Sequence, residues 1–298
     1  MNNLELYCMC LYDEHLENVK TLGYIPVGLG KNKFRSEWLR DCEGQNISHK
    51  NLYYGEYSFY YWFWKNRLDK IPENKWIGFS HYRHHWSNQN IIKSDELNLL
   101  INENNYSSYI LKEPHPVWKN YNVIMGDPMY VNGHYKLSKI IKNGFSSLRI
   151  LSKNPFAFKR KNRNIKLQFD FFHGVGIMDK AIDVLDKKEK NDFKEYINNE
   201  YSFNRENMFI CNSKKLMNEY FLSVFSWLEK CEPIFGFDLK GYSKTRIYTF
   251  LAERYISYWF NKYSKPLNWP IFFYDTNKKK NKIQKLIYFF LIKIRFKE

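Results

Sequence analysis

Residues 76–86, WIGFSHYRHHW, place His81, Tyr82, Arg83, His84 and His85 directly behind a short apolar run that reads as a β-strand. Ligands of open α/β sheets bind outside the carboxyl ends of strands, so the position favours function. Alternation along the strand sends His81 and Arg83 to one side and Tyr82 to the other, while His84 and His85 are expected to begin leaving it. Neighbouring histidines raise the question of a metal. No H-E-x-x-H or comparable spacing accompanies them, and no metal ligand is assigned. An arginine here suits an anion: its planar fork meets a phosphate in two charge-assisted hydrogen bonds.

A second chemical signal is a charge inside an apolar pattern. NISHKNLYYGEYSFYYWFWKNR (46–67) is expected to form a helix capped by Ser48, with Leu52, Glu56, Phe59, Tyr60 and Phe63 on one face. A carboxylate buried there without a partner is costly, so Glu56 calls for an arginine, a histidine or a ligand hydroxyl. Arg83 is the expected partner. A structural ion pair and a substrate contact are both open readings, and they are compatible if Glu56 orients the guanidinium.

These groups need a scaffold, and the rest of the chain supplies an α/β order. LELYCMCLY (4–12), YIPVGLG (24–30), KWIGFS (75–80), YNVIMGD (121–127) and FNRENMFIC (203–211) read as strands separated by stretches long enough for crossovers. Residues 130–200 read as mostly helical with a basic break at 153–164, and 214–231 and 246–262 as further helices. No internal repeat is visible.

With 298 residues, 44% hydrophobic and 19% aromatic, the chain has ample apolar surface to offset chain entropy, and its interior should be aromatic-rich. Five scattered cysteines without C-x-x-C pairing read as reduced thiols, and MNNLELYCMCLYDEH lacks a signal-peptide pattern, so a cytoplasmic location is expected. The formal charge of +16 invites a nucleic-acid partner, but residues 278–298 carry a net +7 of it, interleaved with LIYFFLI (286–292). That tail reads as a basic amphipathic helix on an anionic membrane surface, giving a body at 1–276 and a membrane-associating segment at 277–298. No nucleic acid is expected; a basic aromatic-rich nucleic-acid binder is the rival class, and a non-catalytic sugar- or lipid-binding scaffold a third.

YIPVGLG, GQNISHKNLYYGEYSFYYWFWKN, WIGFSHYRHHW, NMFIC and RIYTFLAER occur in an order and spacing that resembles a bacterial family of capsular and exopolysaccharide glycosyltransferases. The family was long catalogued as a domain of unknown function and includes galactofuranosyltransferase-like members. The resemblance spans roughly residues 20–260. His84, His85 and Trp86 depart from the family's usual HYRRYF, and VIMGD from its proline-bearing strand, so the sugar is not carried over.

The resemblance implies a GT-A-like, Rossmann-type sheet flanked by helices that binds a nucleotide-diphosphate sugar, UDP-linked donors among the candidates, near its strand ends. Where many such enzymes carry a metal-binding Asp-x-Asp, this chain carries His81-x-Arg83, so Arg83, aided by protonated His81, is expected to meet the diphosphate. His81, Tyr82, Arg83, Glu56, Asn46 and Asn51 are accordingly the donor-binding set. Glu253 is the expected general base, with Asp238 and Glu206 as rivals. Asn207, His173, Arg246 and Arg254 are expected at the acceptor or sugar. No cofactor is firmly implied; a Mn or Mg ion, held for example by Asp127 or Asp170, stays open. The acceptor implied is a lipid-linked glycan at the inner face of the cell membrane.

Overall fold

The computed structural model describes residues 3–132 and 144–276. Among these residues eleven strands run in chain order: β1 (Leu4–Cys10), β2 (Ile25–Gly28), β3 (Leu39–Arg40), β4 (Trp76–His81), β5 (His84–Trp86), β6 (Val123–Gly126), β7 (Pro128–Tyr130), β8 (Ser202–Asn204), β9 (Phe209–Cys211), β10 (Leu267–Trp269) and β11 (Ile271–Phe273). The main sheet has the order β10-β6-β9-β4-β1-β2-β3, with β5 joining β4 to β11; β7 and β8 form a separate antiparallel pair. β1 runs parallel to β2 and β4, and β6 to β10, while β9 runs antiparallel between β4 and β6. The result is a mixed, mostly parallel sheet flanked by helices.

Both faces of the sheet are buried, which is why its strands read as unbroken apolar runs. On β1, Tyr7 and Met9 join one core with Phe79, Val123 and Phe209, and this core is covered by the helices Tyr57–Asn66, Lys214–Phe235 and Ile247–Tyr263. Leu4, Leu6, Cys8 and Cys10 point the other way, into a core with Leu16, Trp118, Ile210 and Trp269. The interior is aromatic, as composition requires: Trp86, Trp118, Trp227 and Trp269 are among its largest fully buried side chains.

Two expected elements divide. The 46–67 helix breaks at Gly55, whose φ of 55° separates Asn51–Tyr54 from Tyr57–Asn66, and Leu52 leaves the apolar stripe at 63% exposure. Ser48 caps nothing; the Asn46 side chain instead accepts from the Ser48 amide and hydroxyl at 3.2 and 2.8 Å. The 203–211 strand splits into β8 and β9 around a left-handed bend at Glu206 (φ 72°) and Asn207 (φ 53°). The tail 277–298 lies outside the described residues. Among those described, no helix is long and apolar enough to cross a membrane.

Candidate functional site

Because β9 runs against its neighbours, the chain entering it meets the carboxyl ends of β4 and β6. His81 and His84 pair across a tight hairpin whose turn is Tyr82–Arg83, so His84 and His85 remain in the sheet as β5 rather than leaving it. Nε2 of His81 lies 2.9 Å from the Glu206 carbonyl, and Nε2 of His84 lies 3.6 Å from the Glu206 carboxylate. Burial, then His81, Arg205 and Arg83, push the His84 imidazole down to about 3, so it is neutral there. Tyr82 packs against the His15 ring at 4.6 Å.

Two consecutive non-glycine residues in the left-handed region cost on the order of 1–3 kcal/mol each and persist only when their surroundings fix them. Here the surroundings do. The Asn207 amide donates to Glu56 Oε1 at 2.5 Å, its Oδ1 accepts from the Tyr57 hydroxyl at 3.2 Å, and its carbonyl accepts from the Tyr60 hydroxyl at 2.8 Å. Tyr57 is in turn bonded to Tyr220 at 2.6 Å. The Glu206 amide donates to Glu253 Oε1 at 2.9 Å.

Glu56, 6% exposed, is paired with Arg246 at 3.1 Å and not with Arg83, which corrects the expectation. Gly55 explains the difference, since a Cβ there would lie 2.0 Å from Arg246 Nη2; the bare backbone lets the guanidinium cross. Arg83 is instead 3.7 Å from Asp275, and its side chain keeps 39% exposure.

Glu253 has both oxygens engaged, the second by Arg254 Nη1 at 2.5 Å. Burial raises its pKa, Arg254 opposes the rise, and Glu206 and Glu56 add to it. Arg254 is 2% exposed, lies over the Phe203 ring and donates to Gln168 at 2.8 Å. It lies behind Glu253, buried against Phe203 and Gln168. His173 is likewise interior: it shares a hydrogen bond with the Ser243 carbonyl at 3.0 Å, stacks on Phe250 at 4.2 Å, and is pushed down to about 3 by burial and Arg254.

The remaining expected residues divide by surroundings. Asn51 donates to the Gly55 carbonyl and the Ser58 hydroxyl, and lies against Gly30 just beyond β2, at the same edge of the sheet. Asn46 fastens its own loop through the Cys42 and Gly44 carbonyls. Asp127 accepts from the Ser94 amide and hydroxyl, Asp170 pairs with Lys166 at 2.7 Å, and Asp238 is exposed on a loop. Among the described residues, no three His, Cys, Asp or Glu side chains are grouped to hold a metal ion.

The site so assembled has three glutamates (56, 206, 253) around one bend, with Arg246 paired among them and Arg83 and Arg205 reaching the hairpin beside it. The family described as Domain of unknown function (DUF4422) matches residues 7–265. The chain belongs to that family. A solved structure described as the WbbM bifunctional glycosyltransferase, apo form, matches with a TM-score of 0.55 at 16% identity, over 95% of this chain and 48% of that one. The present chain thus spans about half its length, and at this identity the likeness is one of fold. No curated protein matches.

For this DUF4422 chain, residue-by-residue reading overlooks Arg205, Asp275 and the Tyr57–Tyr220 pair. Arg205 had a usable signal: a cation next to Glu206 and Asn207, immediately before a strand. Asp275 and Tyr220 had none, being far from the hairpin and from Asn207 in sequence.

Proposed function

We propose that this chain transfers a sugar from a nucleotide-diphosphate donor, UDP-linked, to a lipid-carried glycan acceptor of the capsular or exopolysaccharide kind, galactofuranose being one candidate sugar. The observation that carries the proposal is the convergence of Glu56, Glu206 and Glu253 with Arg83 and Arg205 at the carboxyl edge of the sheet. The fold likeness to a glycosyltransferase and the mixed, mostly parallel sheet flanked by helices support it.

In this reading the donor diphosphate lies against Arg83 and His81, with Tyr82 beside them and Asn51 on the β2 side. The acceptor hydroxyl oxygen attacks the anomeric carbon, the bond to the diphosphate breaks with its electron pair leaving on the phosphate oxygen, and the hydroxyl proton passes to Glu253. A carboxylate whose pKa burial has raised is the better base, and Arg254 and the Glu206 amide hold it in place. Asn207 and Arg246 shape the pocket wall through Glu56. The arginine fork stabilises the leaving diphosphate most where charge develops, in the transition state. Residues 277–298 are proposed to hold the chain at the inner face of the membrane, where a lipid-carried acceptor is met.

Glu253→Gln tests the assignment. Donor affinity should persist while turnover falls ~10²-fold or more. Near-normal turnover in Glu253→Gln together with collapse in Glu206→Gln would move the base to Glu206, whose carboxylate lines a small pocket with His84, Asp127 and Arg205.

A further inference from the structure

Residues 128–169 contain ten lysines and arginines and no aspartate or glutamate. Part of that stretch forms a depression of about 720 Å³, within the ~300–1,000 Å³ common for small-molecule sites. Six of its ten lining residues are asparagine, and Arg160, Lys161, Arg163 and Tyr201 complete it. Among the described residues, neither Arg160 nor Lys161 is in an ion pair, and the Asn199 amide bonds to no other side chain or backbone group. The frame behind them is fixed: Asn164 caps the helix Ile165–His173 through the Leu167 amide at 2.8 Å, and Arg163 Nε donates to the Phe158 carbonyl at 2.8 Å.

The depression is joined to the candidate site by both strands of one antiparallel pair. Asp127 leads through β7 to Asn132, and Tyr201 leads through β8 to Arg205, with Tyr130 paired to Ser202 and Pro128 to Asn204. Tyr201 and Arg205 are four positions apart, so their Cα atoms are at most about 14 Å apart. At the near rim, Tyr130 and Tyr201 are 61% and 48% exposed, and their rings stack at 6.1 Å.

We infer that this depression is a distal subsite for the acceptor, holding an acidic oligosaccharide a few sugar units from the point of transfer. Its role as an acceptor subsite rests on the transferase reading; its binding of saccharide does not. Side-chain amides both donate and accept, which matches the paired character of sugar hydroxyls. Exposed tyrosine faces offer apolar area to the C–H faces of sugar rings with a polar tip at the edge. The unpaired cations select uronate or phosphate substituents. A membrane surface would need apolar side chains lining the contact, and this lining is polar.

The test titrates the full chain with a glucuronate-containing hexasaccharide, maltohexaose as neutral control, phosphatidylglycerol vesicles and oligo-dT, all without donor. The acidic hexasaccharide should bind about tenfold tighter than maltohexaose. Tyr201→Ala and the double variant Arg160→Ala/Lys161→Ala should each weaken it about tenfold, Tyr201→Phe should not, and UDP affinity should be unchanged in all. Absence of saccharide binding, or equal binding by every variant, overturns the inference. So does binding of vesicles or oligo-dT through Arg160 and Lys161 in place of saccharide. Saccharide binding that survives while no donor sugar is ever transferred counts against the transferase reading alone.

Discussion

The carboxyl edge of the sheet and the depression beyond the β7–β8 pair are both polar, yet they are built in opposite ways. At the edge, polar groups are buried and tied at several points: Glu56 to Asn207 and Arg246, Asn207 to two tyrosines, Glu253 to Arg254 and the Glu206 amide. In the depression, Arg160, Lys161 and Asn199 stand exposed without such ties among the described residues. Burial explains the contrast. A charge removed from water must be paired, and a fully paired network holds one geometry. Fixed dipoles suit a site that makes bonds, because little reorganisation is left for the reaction itself. Loosely held amides and cations suit a surface that adapts to a chain of sugars.

Acid should break the edge while leaving the depression's chemistry alone. His85 stands in β5 of the hairpin, 1% exposed, with no hydrogen-bond partner at either ring nitrogen among the described residues, and burial pushes it down to about 3; His173 is also pushed to about 3. Both folded values lie below the ordinary 6.5, so the unfolded chain binds protons first as pH falls. Their contribution to stability is present above 6.5 and is lost as pH drops towards 3. At pH 5 the two together remove about 4 kcal/mol, against a typical total of ~5–15 kcal/mol. Melting curves between pH 8 and 5 should show Tm falling steeply below pH 6.5; a flat profile would mean these rings are not held neutral.

Removing the central carboxylate should come next in size. Glu56→Ala leaves Arg246 and the Asn207 amide without their acceptor, and breaking a buried pair in this way costs ~3–5 kcal/mol; partial exposure of Arg246 puts the expected loss at about 3 kcal/mol. Glu56→Gln, which keeps an acceptor for Asn207, should lose less. Urea denaturation reads both. Equal stability of Glu56→Ala and the parent chain would show that the bend at Glu206 and Asn207 is held by the tyrosines alone.

The sheet was legible because its strands are apolar runs bounded by turn residues, and four of the five expected strands fall where the pattern puts them. The bend was not. FNRENMFIC alternates well enough to pass for one strand, and only the tertiary hold of Glu56, Tyr57, Tyr60 and Glu253 forces Glu206 and Asn207 into left-handed backbone. The need of Glu56 for a partner was readable from its apolar setting, but the partner's identity was not. Arg246 lies 190 positions away, and Gly55 reads as a helix-weakening residue until the guanidinium that crosses it is seen. Arg254 and His173 were expected at the site through family resemblance, which aligns positions and does not show that both are buried.

Arg83 offers a smaller and more specific test, because its side chain is partly exposed and its charge is paired with Asp275 at 3.7 Å. Arg83→Lys keeps the charge and loses the two-donor fork, so turnover should fall about tenfold and by more than donor affinity does, with Arg83→Ala worse. Activity should survive EDTA. Loss on chelation with rescue by manganese, and a Lys variant indistinguishable from the parent, would remove Arg83 from the diphosphate.

The smallest effects belong to the depression, and they sharpen the contrast most directly. Asn199→Ala and Asn207→Ala delete the same amide, one from an exposed position and one from a side chain that is 2% exposed. Surface changes away from structural contacts stay within about 0.5 kcal/mol, so Asn199→Ala should leave the unfolding midpoint where it is. Asn207→Ala strips an acceptor from Tyr57 and a donor from Glu56, and puts alanine, which lacks a side chain able to bond locally, into left-handed backbone. Its loss should be several times larger, about 2 kcal/mol or more. If the two variants melt alike, the edge is no better tied than the depression, and burial is not what separates the proposed transfer site from the proposed acceptor surface.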